Sequence, residues 1–152
     1  MFQLIVAVIS IVLVAALAIA SIFYGGDAFS KSSEKANVTA LVNAGQQIAG
    51  AYTLFKTEQA AEPADLNDLV TNKYLAAPPS GGKAAHADGV WELDTSDPNN
   101  KVTKIQIKAT AITDDVCIEA NRQAGSTDGS APANAQFGCV ADGADVYFQF
   151  KL

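Results

Sequence analysis

The chain has 152 residues, 49% of them hydrophobic, and a net charge of −6; that is room for one domain plus an appendage. Every charged side chain lies from Asp27 onward and no Lys/Arg cluster stands among them. Nucleic acid is thereby excluded as the main partner, because phosphate binding needs a basic patch.

The first element is an apolar rod, MFQLIVAVISIVLVAALAIASIFY, interrupted only by Gln3, Ser10 and Ser21. Ala18-Ile19-Ala20 before Ser21 imitates a signal-peptidase site, but the start carries no basic residue and the apolar run exceeds the 7–15 residues of a signal core. About 20 apolar residues suffice to cross a bilayer as a helix, and this composition leaves the backbone to satisfy its own hydrogen bonds, as lipid requires. A membrane or assembly element is the expectation. The missing basic flank on its N-terminal side predicts that a leader has been removed.

Beyond Gly25-Gly26, Val38, Leu41, Val42, Ile48, Tyr52 and Phe55 recur at the spacing of one helical stripe, with Lys31, Glu34, Lys35, Asn37, Asn43, Gln46 and Gln47 between them. No proline intervenes before Pro63. One helix from about residue 2 to 58, about 85 Å long, is predicted. It divides into an apolar half (1–26) and an amphipathic half (27–58). Gly25 and Gly26 are its weak point, each costing about 1 kcal/mol relative to alanine, and a bend or melted turn is expected there.

Residues 59–152 read as a globular head. Pro63 and Asp65 open a second helix with Leu66, Leu69 and Val70 inward, ending before Tyr74-Leu75. Pro78 to Gly82 is a loop by turn chemistry. Trp91 and Leu93 alternate with Glu92 and Asp94 as a short strand, and 96–100 is a turn. Ile105, Ile107 and Ala109 alternate with Lys104, Gln106 and Lys108. A short helix over Asp114–Gln123 carries Cys117, with Thr113 as its N-cap. Gly125–Gln136 reads as loop. Val146, Phe148, Phe150 and Leu152 then face one way along a last strand. The fold class is α+β, the amphipathic half of the helix covering a small antiparallel sheet.

Two cysteines, Cys117 and Cys139, leave two readings. In an exported chain they form a disulfide, worth about 3 kcal/mol by chain entropy; otherwise they are buried thiols. Chemistry of an enzymatic kind is not evident: His86 is the single histidine, and no nucleophile or phosphate-loop motif is present. No enzyme activity and no cofactor are expected. Asp142-Gly143-Ala144-Asp145, or Asp94 with Asp97 and Asn99, match a calcium loop as loosely as they match a solvated turn. Asn37-Val38-Thr39 is a glycosylation sequon inside the predicted helix, and the Ser126–Ser130 loop offers hydroxyls for modification.

The apolar rod with its amphipathic continuation and Tyr24, the stretch EPADLNDLVTNKYLAAPPS, and a late cysteine pair closing a loop at a sheet edge together resemble the type IV pilins and the type II secretion pseudopilins. Met1 as first residue and a cysteine on a late helix are more similar to the type IVb subgroup. The resemblance implies a homo-oligomeric helical filament at the bacterial surface. Its subunits first sit in the inner membrane and are extruded by a pilus assembly machinery. It also implies that Met1, Ile5, Ile9, Val12, Ala16 and Tyr24 belong to the assembly helix and that Cys117 and Cys139 are bonded. Exposed loops near 80–89 and 125–137 would make outside contacts. One position departs from the pattern: the family usually places an acid at position 5 to meet a neighbour's N-terminal amine, and here it is Ile5. Counting from Phe2 gives Val6 and does not restore it. A tip or minor subunit follows as an alternative, as does a secretion pseudopilin. A single-span anchored periplasmic binding protein is the alternative outside the family.

Overall fold

The computed structural model describes residues 2–82, 85, 89–94, 103–109, 114–132 and 134–152, with backbone only at 27 and 28. Helix α1 runs Phe2–Gln59, followed by α2 (Leu66–Thr71), strands β1 (Trp91–Leu93) and β2 (Lys104–Ala109), helix α3 (Asp115–Gln123), and strands β3 (Phe137–Asp142) and β4 (Asp145–Lys151). The chain divides into two compact units, Met1–Ser33 and Glu34–Leu152. The described residues of the first all belong to α1.

The second unit is the α+β head. Its sheet is antiparallel throughout, in the order β1-β2-β4-β3. The register places Ile107 opposite both Trp91 and Phe148, and Cys139 opposite Phe148. Successive strand residues point to opposite faces, so Trp91, Ile105, Ile107, Ala109, Cys139, Phe148 and Phe150 form one buried face. Val38, Leu41, Ala44, Ile48, Ala51, Tyr52 and Phe55 of α1 belong to the same core. The expected stripe is present and wider than the sequence indicated, because Ala44, Gly45 and Ala51 are buried with it.

Gly45 sets how closely α1 approaches β4. A Cβ built there would lie 2.8 Å from Cγ and Cδ2 of Phe150 and 3.1 Å from its Cβ, and Phe150 is itself buried. Gly50, a turn and a half later, has nothing within 4 Å of such an atom. Opposite outcomes are therefore expected. Gly50→Ala should raise head stability by roughly 1 kcal/mol through helix propensity. Gly45→Ala should lower it by about 1 kcal/mol or more, since overpacking costs about 1–3 kcal/mol against that same gain. Urea midpoints of the two variants check this.

Four expectations need correction. Helix α1 is α-helical through Gly25 and Gly26, so no turn is melted there; in a helix this long the ladder propagates across two glycines once it is nucleated, and a Cβ at either glycine would meet nothing. The N-cap of α3 is Asp114, whose carboxylate accepts from Val116 N at 3.5 Å; Thr113 lies outside the described residues. Strand β3 was not anticipated and pairs along its whole length with β4. Leu152 lies past the end of β4 and is exposed, held by its backbone N–H donating to Thr103 O at 3.0 Å. The predicted turn at 96–100 lies outside the described residues.

Candidate functional site

The site with the largest unmet physical demand is the first unit. From Phe2 to Tyr24 every large apolar side chain of α1 is exposed, from 52% at Val6 to 86% at Tyr24. The segment is one helix long and apolar enough to cross a membrane, by length and composition. Ile5, Ile9, Val12 and Ala16 are offset by four, three and four residues, which puts them on one face. Met1 lies outside the described residues. The two hydroxyls in this stretch are turned onto the helix's own backbone: Ser10 Oγ donates to Val6 O at 2.8 Å and Ser21 Oγ to Leu17 O at 2.9 Å. Neither therefore presents an unsatisfied donor to an apolar surrounding.

In the head, Cys117 and Cys139 form a disulfide with Cα atoms 5.5 Å apart, joining α3 to β3. Both are buried. One turn along α3, Asn121 is fully buried. Its Oδ1 accepts from Cys139 N at 2.7 Å, and its Nδ2 donates to Cys139 O at 3.3 Å and to Gly129 O at 2.6 Å. No local pattern marks this residue's role, since its partner Cys139 lies 18 residues away. Beside it, Glu119 accepts from Arg122 and from Gln123, the latter at 3.0 Å. The Gln123 hydrogen bond, aided by the charges of Arg122 and Lys35, holds its carboxyl below the ordinary range despite burial.

Those of the remaining candidates that are described sit in structural bonds. Asp142 and Asp145 flank a two-residue hairpin turn whose first central residue, Gly143, has φ +62, the backbone state that such hairpins require of glycine. Asp145 pairs with Lys108 at 2.7 Å and Asp94 with Lys104 at 2.8 Å; Asp97, Asn99 and His86 lie outside the described residues. No group of three or more His, Cys, Asp or Glu side chains able to hold a metal occurs among the described residues. The sequon lies within α1, with Asn37 half-buried, Val38 in the core and Thr39 Oγ1 donating to Lys35 O at 2.8 Å. At the end of α1, Lys56 pairs with Glu62 at 2.8 Å and Tyr74 Oη donates to Glu58 at 2.6 Å. These bonds raise the Lys56 and Tyr74 pKa values and tie the segments before and after α2 to the helix end.

The Ser126–Ser130 loop is built around Asp128. Its Oδ1 accepts from Ser130 Oγ at 2.7 Å, Ser130 N at 3.1 Å and Ser126 Oγ at 2.9 Å. Those bonds, led by the Ser130 hydroxyl, bring the carboxyl from 3.8 down to about 2. A depressed carboxyl stabilises above its unfolded pKa and loses that contribution as pH falls through the folded one. The loop should therefore hold unchanged at neutral pH and loosen as pH falls from about 4 to about 2. An NMR titration of the Asp128 carboxyl should show its midpoint near 2, and Ser130→Ala should move that midpoint up toward the ordinary carboxylate value.

Comparison of the chain with protein-family models, with curated proteins and with solved structures returned no match.

Proposed function

We propose that this chain is the structural subunit of a surface filament of the type IV pilus class, polymerising through the apolar half of α1. The observation that carries the reading is the helix of the first unit: its large apolar side chains from Phe2 to Tyr24 are all more than half exposed within the chain. Soluble monomers do not leave so large a continuous apolar surface bare. Lipid covers it before assembly, in the inner membrane, and the same helix of other copies covers it afterwards. Transfer from lipid to a helix bundle gains little hydrophobic energy, so close packing and an external assembly machinery supply the drive. The head carries the solvent-facing loops and the disulfide expected of an exported domain. The subunit acts by assembly and not by catalysis, and nucleic acid is not its main partner.

A minor or tip subunit is the finer alternative within this reading. The apolar span equally suits a single-span anchor for a head that never polymerises. Electron microscopy of cells expressing the full chain beside a pilus assembly system separates these. Filaments that label with antibody along their length support a main subunit, and label confined to one end a tip subunit. Dispersed membrane monomers alone would overturn the filament reading.

A further inference from the structure

Trp91 opens β1 on the buried face of the sheet, 3% exposed, its ring nearly perpendicular to that of Phe148. Its Nε1 is closed off from solvent and has no hydrogen-bond partner. Among the described residues it is the one buried side-chain nitrogen or oxygen left so. Asn121, buried as deeply, has partners for both atoms of its amide. An indole N–H can only donate, and a buried tryptophan ordinarily finds it an acceptor. A fold that keeps such a donor unmatched does so at a cost in stability, and the acceptor must come from elsewhere.

Trp91 is also part of the wall of a cavity of about 350 Å³, with Pro78, Pro79, Ser80, Gly82 and Val90 among the other lining residues. The loop after α2 builds the far side. Gly81 lies so close to the sheet that a Cβ there would overlap Ile107 Cδ1 and the Ala85 Cβ, and Ile107 is the register partner of Trp91. Gly82, at φ +64, turns the chain, its N–H donating to Ser80 Oγ at 3.2 Å. Ala85 then bridges to Ala109 of β2. One water takes up about 30 Å³ in the liquid, so the space far exceeds what would satisfy Nε1 alone. It lies within the size range of small-molecule sites.

The side chains there offer donors. Besides Nε1–H there is the Ser80 hydroxyl, whose oxygen accepts from Gly82 and whose proton can be given. Pro78 and Pro79 have no N–H and, with the largely exposed Val90, make the apolar part of the wall. None of the described lining side chains is charged, so an anion would meet no counter-charge among them. The group that fits is neutral, accepts at an oxygen and carries a small apolar end. Because Nε1 has no exposure, the group that reaches it must also be terminal.

We propose that this cavity binds the acetamido arm of an N-acetylated sugar, the carbonyl oxygen accepting from Trp91 Nε1 and the methyl resting on Pro78, Pro79 and Val90. A carbonyl oxygen has two lone pairs, so the Ser80 hydroxyl can share it. The site belongs to the head and stands apart from assembly through α1.

The test is an NMR titration of the full chain in dodecylphosphocholine micelles. Trp91 is the single tryptophan, so its indole N–H gives one resonance. N-acetylglucosamine should move that resonance saturably, with a Kd in the millimolar range expected for so small a ligand, and slow exchange of the Nε1 proton about 10-fold or more. Glucose, which lacks the acetamido group, should do neither. Trp91→Phe keeps a ring and removes the donor, and should weaken binding about 10-fold, read by saturation transfer to the acetyl methyl. Ser80→Ala should weaken it about 5-fold, and serves where Trp91→Phe does not fold. An indole resonance that N-acetylglucosamine leaves in place would overturn the site, and a cross-peak to water in that case would assign the acceptor to a resident water only. Equal shifts with glucose, or with triglycine, whose amide carbonyls lie within a chain, would overturn the acetamido assignment. No arm of the titration reads filaments, so its failure and that of the filament reading are separable.

Discussion

Ile9→Asp should abolish filaments while leaving the head folded. Ile9 lies in the first turns of α1, 53% exposed, on the face that also carries Ile5, Val12 and Ala16. At the centre of a membrane helix an Asp costs about 2.5–3.5 kcal/mol, where Ile contributes about −0.3 to −0.6. Ile9 lies about one turn from the middle of the apolar stretch, so the change is at most about 3–4 kcal/mol per helix in lipid. Insertion can survive it, because Val6, Val8, Ile11, Leu13 and Leu17 remain around the site. Assembly cannot, because every subunit brings the same unpaired carboxylate into the packed helices, and no Lys or Arg precedes Lys31 to neutralise it. Filament yield should drop below detection, with most of the protein still in the membrane fraction and the urea midpoint of the head unchanged. Ile9→Leu, which keeps volume and apolarity, should assemble normally. Wild-type yield from Ile9→Asp would mean that this face of α1 is not packed in the filament.

That surface was legible from the first residues, because a run without charge needs no tertiary context to be recognised. The amphipathic stripe was legible for a related reason: Val38, Leu41, Ile48, Tyr52 and Phe55 repeat at the helical period, and all five are buried. Small residues in the same seam were not, since Ala44, Gly45 and Ala51 carry too little apolar surface to register in a pattern, although all three are buried and Gly45 is what lets α1 approach Phe150 of β4. Strand β3 was hidden by its composition. Phe137-Gly138-Cys139-Val140-Ala141-Asp142 has a glycine and an alanine within six residues and follows a loop rich in the same types. The signal that could have found it is the Asp142-Gly143 turn, with Val140 on one side and the alternation of β4 on the other. Asn121 was beyond reach altogether: its burial is decided by the backbone of Cys139 and Gly129, which only the folded topology brings to it.

Phe148→Ala should be among the costliest single truncations in the head. Phe148 is fully buried near the middle of the sheet, with ring centroids 6.2 Å from Trp91 and 6.0 Å from Phe137. Cys139 and Ile107 are its partners on either side, so collapse of the neighbours into the void is restrained by a disulfide and by paired strands. Removing a buried Phe side chain costs about 3–5 kcal/mol, against a total of about 5–15 kcal/mol for a domain. Phe148→Leu should recover more than half of that loss. Tyr147→Ala is the control for register: Tyr147 sits one residue away on the opposite, polar face, across from Lys108 and Val140, and should cost about 1 kcal/mol or less. The single tryptophan, Trp91, is buried, so its emission reports unfolding of the head without added probes. Because a one-residue slip of β4 would exchange its two faces, a larger loss from Tyr147→Ala than from Phe148→Ala would mean that the strand offers its other side to α1. The predicted ordering, Phe148→Ala far below Phe148→Leu and Tyr147→Ala, follows only from the register in which Phe148 faces Val38, Leu41 and Ile48 in a common core.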